Sequence, residues 1–121
     1  MDERKSRGDR GEALVAVFLR RKKYTVLEQQ FRTRRGEIDL IARSPDGILC
    51  FVEVKTRKDA SFASACEFVT AAKQRRIRAA AQAYLVMRDD ADSLCRFDVA
   101  EVYLKPGLLK KPEINYIEQA F

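Results

Sequence analysis

GEIDLIARSPDGILCFVEVKTR, residues 36–57, is the stretch that decides the fold of this 121-residue chain. Two runs of strand-forming residues, 37–43 and 48–56, flank the sequence SPDG. In that sequence proline presets the first corner of a turn and glycine accepts the left-handed conformation. The pattern predicts a β-hairpin. Because residues 48–52 are apolar on both faces, the second strand is expected at the centre of a sheet that is covered on both sides.

Charged residues interrupt the apolar pattern of this central strand. Glu53 and Lys55 follow the apolar run and share the face already occupied by Phe51. Ionised groups are costly to bury at the edge of a core unless they are paired or bound to a metal. The strand therefore predicts either a structural ion cluster that fixes the register or a functional site.

The hairpin register brings further acids towards these two residues. A three-residue loop at 45–47 pairs Asp39 with Glu53 and Glu37 with Lys55. Directly opposed residues have Cβ atoms about 4.5–5.5 Å apart, so two facing carboxylates repel unless a proton or a cation lies between them. A hard divalent ion fits such a site, since magnesium typically uses one or two carboxylates together with substrate phosphate.

The rest of the chain predicts two helices and three more strands. Helix 8–22 carries Glu12 at the margin of its apolar arc, where the carboxylate either points towards the sheet or simply favours the first turn of the helix. We expect a loop at 59–69 and a break at Pro106-Gly107. The other predicted elements are strands 24–31, 96–104 and 114–117 and helix 70–88. The order α-β-β-β-α-β-β predicts one α/β domain, 1–121, with a mixed central sheet flanked by helices.

Composition excludes several classes of function. The chain has no histidine, and its three cysteines are far apart, which argues against a zinc site and against any mechanism that needs an imidazole. No apolar run approaches the roughly 20 residues of a membrane span, and the N-terminal residues carry charges of both signs. The sequence therefore predicts a cytoplasmic protein with reduced thiols and no membrane segment.

Positive charge is concentrated in two segments. The formal net charge is +6; residues 1–35 carry 11 basic and 5 acidic side chains, and residues 73–88 carry 5 basic and no acidic ones. A basic domain favours a polyanionic partner such as nucleic acid, although solvated helix faces explain the charge equally well. The residues expected to contact phosphates are Arg57, Lys73, Arg75, Arg76 and Arg78.

Short motifs spread over nearly the whole chain carry a family resemblance. They are GEA at 11–13, GEIDLI at 36–41, FVEVKTR at 51–57, KQRR at 73–76, RFDV at 96–99 and IEQAF at 117–121. Together they resemble the YraN family of uncharacterised bacterial proteins. Lys23 stands where that family often has glycine before a tyrosine.

The YraN family is in turn similar to the restriction-endonuclease-like nucleases with a PD-(D/E)xK signature, and particularly to archaeal Holliday-junction resolvases. This resemblance implies a restriction-endonuclease-like fold and cleavage of branched or structured DNA. It also implies Asp39 as a metal-binding acid and Glu53 with Lys55 as the E-x-K pair. Glu12 matches the helical acid of the resolvases.

Our hypothesis from the sequence is a magnesium-dependent nuclease. Asp39 and Glu53 would hold Mg²⁺ (or Mn²⁺) together with the Val54 carbonyl, and Glu12 would complete the coordination shell or hold a second ion. Lys55 would orient the attacking water or stabilise charge on phosphorus, and the opposed acid, Glu37, would orient Lys55. The alternative is a non-catalytic nucleic-acid-binding protein that keeps a nuclease fold; the sequence leaves a homodimer open.

Overall fold

A computed structural model describes residues 3–57, 69–104 and 111–121, with side chains described from residue 8 onward. The chain forms a five-stranded sheet with one helix packed on each face. The elements are α1 (Glu3–Arg21), β1 (Thr25–Arg32), β2 (Glu37–Arg43), β3 (Leu49–Arg57), α2 (Ala71–Met87), β4 (Cys95–Tyr103) and β5 (Glu113–Ile117). The predicted order α-β-β-β-α-β-β and the mixed α/β class are confirmed.

The SPDG turn forms the predicted hairpin between β2 and β3. The Ser44 amide donates to the Ile48 carbonyl at 2.8 Å, and Gly47 has a φ of 86°, in the left-handed region that only glycine adopts readily. From this turn the antiparallel ladder runs back to the pair Leu40 and Val52, in the expected register.

The sheet order is β1-β2-β3-β4-β5, and every pairing is antiparallel except that of β3 with β4. Helix α2 lies in the crossover between these two parallel strands. Residues 49–52 of β3 are at most 1% exposed, which confirms a central strand covered on both faces. One core packs against α1 around Leu19 and Val52, and the other packs against α2 around Phe51 and Tyr84.

Most element ends lie within two residues of the prediction, but α1 begins at Glu3 rather than at residue 8. At its other end, the Tyr24 amide donates to the Leu19 carbonyl and the Lys23 amide to that of Arg20, both at 3.0 Å. This is a Schellman motif, and Lys23 takes its left-handed position with φ 70°, where glycine is favoured.

Parts of the sequence prediction fall outside the described residues. They are the loop at 59–69 except Val69, the break at Pro106-Gly107, and Cys66. Cys50 and Cys95, the two cysteines within the described ranges, are both free. Within those ranges, no helix combines the length and apolar character needed to cross a membrane.

A buried ion pair ties the end of the chain to the sheet. Asp98 on β4 is fully buried and accepts from the Arg96 guanidinium at 2.9 Å. The Tyr116 hydroxyl donates to the same carboxylate at 2.5 Å and the Gln119 amide at 2.9 Å. Every partner of this carboxylate is a donor, which is the arrangement a buried charge requires.

The ladder between β2 and β3 is shorter than the sequence predicts, and this corrects the register expected beyond Leu40. The β2–β3 ladder ends at Leu40 and Val52, so the expected pair of Asp39 with Glu53 is not part of it. Ile38 and Ile41, three residues apart, both pack in the core on the α2 side, whereas strict alternation would place them on opposite faces. The regular alternation of β2 is therefore interrupted between Ile38 and Leu40, opposite Gln30 of β1, whose φ is 52°.

Candidate metal and nucleic-acid site

The carboxylate of Asp39 acts as the hydrogen-bond acceptor at the point where the β2–β3 ladder ends. Its Oδ2 accepts a hydrogen bond from the Val54 amide at 2.8 Å, at the point where a β2 carbonyl would otherwise accept. In an antiparallel pair the N–H and C=O of one residue point to the same side. The Val54 carbonyl therefore also faces the gap that opens between β2 and β3.

Three acids from three elements meet at this gap. Burial, followed by the negative charge of Glu53, raises the pKa of Asp39 to about 8. Burial also raises the pKa of Glu12 on α1, although a hydrogen bond from the Gln30 side chain at 3.0 Å partly offsets the effect. Glu12 therefore points towards the sheet, which is one of the two orientations that the sequence leaves open, and it lies beside Asp39.

Two lysines neutralise Glu53, whose side chain is only 8% exposed. The Lys73 ammonium lies 2.6 Å from Glu53 Oε1, and the Lys55 ammonium lies 3.6 Å from the same oxygen. Burial, together with the neighbouring Lys73, lowers the pKa of Lys55. Burial, the largest single effect, lowers the pKa of Lys73, but the hydrogen bond to Glu53, the contact with Lys55 and the charges of Glu53 and Asp39 together raise that pKa above its ordinary value.

The donor set fits magnesium in one specific way. In the part of the chain that the structure describes, no three carboxylate, cysteine or histidine side chains are arranged closely enough to hold a metal ion by themselves. Magnesium, however, commonly takes one or two carboxylates and completes its shell with waters and substrate phosphate. Asp39 and Glu53, two repelling carboxylates beside a backbone carbonyl, supply that smaller donor set.

Asp39 and Glu53 lie at the floor of a cleft of about 820 Å³. One wall is the turn between β1 and β2, residues 32–36, and the other is the first two turns of α2. Gly36 brings these walls into contact, because a Cβ atom at this position would lie 2.1 Å from the Arg76 carbonyl oxygen. The Arg76 side chain is exposed beside this contact and lines the cleft.

The structure does not place Glu37 where the sequence predicted it. Because the β2–β3 ladder ends at Leu40, Glu37 does not lie opposite Lys55 in the sheet. Its carboxylate instead pairs with the Arg32 guanidinium at 3.4 Å, and both side chains are about two-thirds exposed. The expected register, with Glu37 opposite Lys55, is therefore wrong.

The residues expected to contact phosphates are dispersed. Arg76 and Lys73 line the cleft, although Lys73 is engaged with Glu53. Arg78 instead lies over two aromatic rings, the nearer at 4.6 Å from its guanidinium carbon. Arg75 is exposed on α2, and Arg57 is half-buried at the end of β3. Only the first two of these residues line the cleft that holds the acids.

Sequence reasoning missed the basic turn of the cleft. Arg34 and Arg35, both exposed, line its wall together with Arg32. The basic excess of residues 1–35 contains these arginines but does not separate them from the basic end of α1. The one local signal is Gly36, the glycine that opens the GEIDLI motif and permits the close approach to α2.

Comparison with known proteins identifies the family. Residues 11–102 match the sequence model of the uncharacterised protein family UPF0102. A UPF0102 protein of Alkaliphilus metalliredigens is 40% identical over 117 residues, which cover 97% of this chain and 98% of the relative. A UPF0102 protein of Geotalea daltonii is 43% identical over 121 residues, covering 99% and 92% of the two chains. The chain therefore belongs to UPF0102, the YraN family that its motifs resemble.

Proposed function

We propose that this protein is a magnesium-dependent endonuclease that hydrolyses phosphodiester bonds in branched or structured DNA. The proposal is carried by one observation: Asp39 and Glu53 repel each other at the floor of a cleft whose turn wall is basic. Repelling acids that are withdrawn from water are costly unless a cation joins them, so the proximity of these two favours a metal site. The choice of structured DNA rests on the resemblance to the resolvases.

Each residue of the site has a separate role in this proposal. Asp39, Glu53 and the Val54 carbonyl hold Mg²⁺ or Mn²⁺, which when bound polarises the scissile phosphate and lowers the pKa of a coordinated water. Lys55, close to Glu53, orients the attacking water or stabilises charge that develops on phosphorus. Glu12, beside Asp39, completes the shell or holds a second ion.

The basic turn supplies the contacts that hold the nucleic-acid backbone. Arg34 and Arg35 stand on one wall of the cleft and Arg76 on the other, so a strand that passes between them meets guanidinium groups on both sides. Contacts of this kind fix the position of a backbone but do not read bases. We therefore expect the partner to be selected by shape and by phosphate geometry rather than by sequence.

The test of activity is metal-dependent cleavage of duplex, flap, fork and four-way DNA. Asp39→Asn keeps an oxygen acceptor for the Val54 amide, and Lys55→Met keeps the length of the side chain. Both variants should abolish cleavage and leave DNA affinity within a few-fold of wild type. Asp46→Asn, at the exposed tip of the β2–β3 hairpin, removes a carboxyl away from the cleft and serves as the control. Cleavage by Asp39→Asn at the wild-type rate would contradict the assignment.

The test of binding compares two double variants that each remove two positive charges. Arg34→Ala with Arg35→Ala should weaken DNA binding and lower the salt slope by roughly one to two. Arg75→Ala with Arg78→Ala should weaken binding less, because neither residue lines the cleft. Fluorescence anisotropy at several salt concentrations measures both effects. Equal losses in the two pairs would contradict a role for the basic turn.

A second candidate function is nucleic-acid binding without cleavage. Two ammonium groups already neutralise Glu53, as expected of an ion cluster that stabilises the fold. In that case the wild type would bind the same DNA panel through its basic cleft but would leave every substrate intact at all concentrations of Mg²⁺ and Mn²⁺. The cleavage assay therefore separates the two candidates directly.

A further inference from the structure

Lys73 makes a short polar contact with the buried carboxylate of the site. Its ammonium lies 2.6 Å from Glu53 Oε1, one ångström closer than the ammonium of Lys55. Glu53 is a proposed metal ligand, so its carboxylate would serve an ammonium and a divalent ion. An ammonium at this distance lowers the affinity of the carboxylate for the ion, because like charges so close repel strongly.

The position of Lys73 on its helix is itself unfavourable. Thr70 caps α2, and its Oγ1 accepts from the Lys73 amide at 3.2 Å, so Lys73 is the third residue of the helix. At this position Glu or Gln usually completes a capping box, and a cation is repelled by the positive end of the helix dipole. The first turn of α2 contains no acid. Lys73 is therefore less favourable for the stability of α2 than an acid would be at this position. Such local losses of stability are common at functional sites, and here the lysine contacts Glu53.

The ammonium of Lys73 also borders the space that a substrate would fill. Lys73 lines the same cleft as Arg76 and the arginines of the basic turn, and its side chain is 36% exposed. A phosphate that entered between those arginines would offer Lys73 a second anionic partner. Lys73 is thus placed between a buried carboxylate and the path of a polyanion.

We propose that Lys73 is a tethered cation that gates the metal site: it holds Glu53 while the cleft is free and moves to a substrate phosphate, which releases Glu53 to the divalent ion. This inference rests on the proposed function, since it assigns Glu53 to the metal. Metal and nucleic acid then bind cooperatively, and each tightens the binding of the other by the same factor.

The test measures metal binding without catalysis. Isothermal titration with Mg²⁺ and with Ca²⁺, in the absence of DNA, compares wild type, Lys73→Met and Lys111→Met. The last variant makes the same chemical change at an exposed lysine beside α1, outside the cleft. Lys73→Met should bind both ions about tenfold more tightly than wild type, and Lys111→Met within about twofold. Thermal melts in chelator verify folding, and Lys73→Gln replaces Lys73→Met if the latter does not melt cooperatively.

A second titration adds saturating four-way DNA. DNA should tighten Ca²⁺ binding by wild type. It should change the Ca²⁺ affinity of Lys73→Met little, because this variant has no ammonium at Glu53 for the DNA to displace. If wild type binds the ions and Lys73→Met binds them no more tightly, the gate is overturned and the metal site stands. If no variant binds either ion with or without DNA, the metal site and the proposed function are refuted, and the proposed gating by Lys73 is refuted as well.

Discussion

Replacing Asp39 by asparagine tests the electrostatics of the site without any substrate. The asparagine side-chain oxygen still accepts from the Val54 amide, but it carries no charge to oppose Glu53. The ordinary pKa of an aspartate is 3.8, whereas burial and the charge of Glu53 raise that of Asp39 to about 8. In chelator, folded wild type therefore holds a proton on Asp39 at pH values where the unfolded chain has released it.

The sign and size of the effect follow from this difference in bound protons. Stability from this group is greatest below pH 4 and is lost as the pH rises towards 8, because the unfolded state is the more readily ionised one. Each pH unit in that window costs about 1.4 kcal/mol of unfolding free energy. Between pH 5 and pH 7, wild type should lose up to about 3 kcal/mol relative to Asp39→Asn.

Urea unfolding in chelator, followed by circular dichroism at half-unit steps from pH 4 to pH 8.5, measures this difference. Subtracting the two curves removes most of the contribution of the other carboxyls, which titrate in both proteins. Glu37→Gln, which removes a carboxyl that is two-thirds exposed, should follow wild type at every pH. Parallel curves for wild type and Asp39→Asn between pH 5 and pH 7 would refute the raised pKa and with it the repelling pair.

Three further substitutions test packing away from the metal ligands, each by thermal or urea melts. Lys23→Gly should stabilise the protein by about 0.5–1 kcal/mol, since glycine adopts the left-handed conformation without a Cβ penalty; a loss of stability would contradict the cap. Gly36→Ala should cost about 1–3 kcal/mol and also weaken DNA binding, because its Cβ collides with the Arg76 carbonyl and displaces the basic turn. Arg96→Met should cost about 3–5 kcal/mol by leaving the buried charge of Asp98 with only neutral donors, and a change below about 1 kcal/mol would exclude that buried pair as an anchor.

Most of the fold could be predicted because its signals are local. The SPDG turn fixes the register of β2 against β3, since a three-residue loop closed by glycine leaves one low-energy pairing. The apolar run of β3 requires cover on both faces, and the two amphipathic helices supply it. Within the site, the burial of Glu53 could be predicted from its position on an apolar face. The margin of the apolar arc left two orientations open for Glu12, of which the folded chain adopts the one towards the sheet.

The remaining features depend on contacts between residues that are distant in sequence. Strict alternation extends the predicted ladder through Asp39, whereas the ladder of the folded chain ends at Leu40 and Ile38 is buried in the same core as Ile41. The contact of Lys73 with Glu53 depends on where α2 lies over the sheet, which helical periodicity does not determine. The same holds for Gly36, whose neighbour is the backbone of α2.

The strand order bears on how the chain folds. Strand β1 pairs with β2, and β2 pairs with β3. These two pairings close only short loops, at little cost in chain entropy. Pairing β4 with β3 must enclose the whole of α2, and such long-range contacts form more slowly. Asp39 and Glu53 thus meet within the early hairpin, before the crossover brings Lys73 to them. During that interval the ammonium of Lys55, a proton and a divalent ion are the counterions within reach of the pair. Because one ammonium does not neutralise two acids, refolding should be faster at mildly acidic pH than in alkaline chelator.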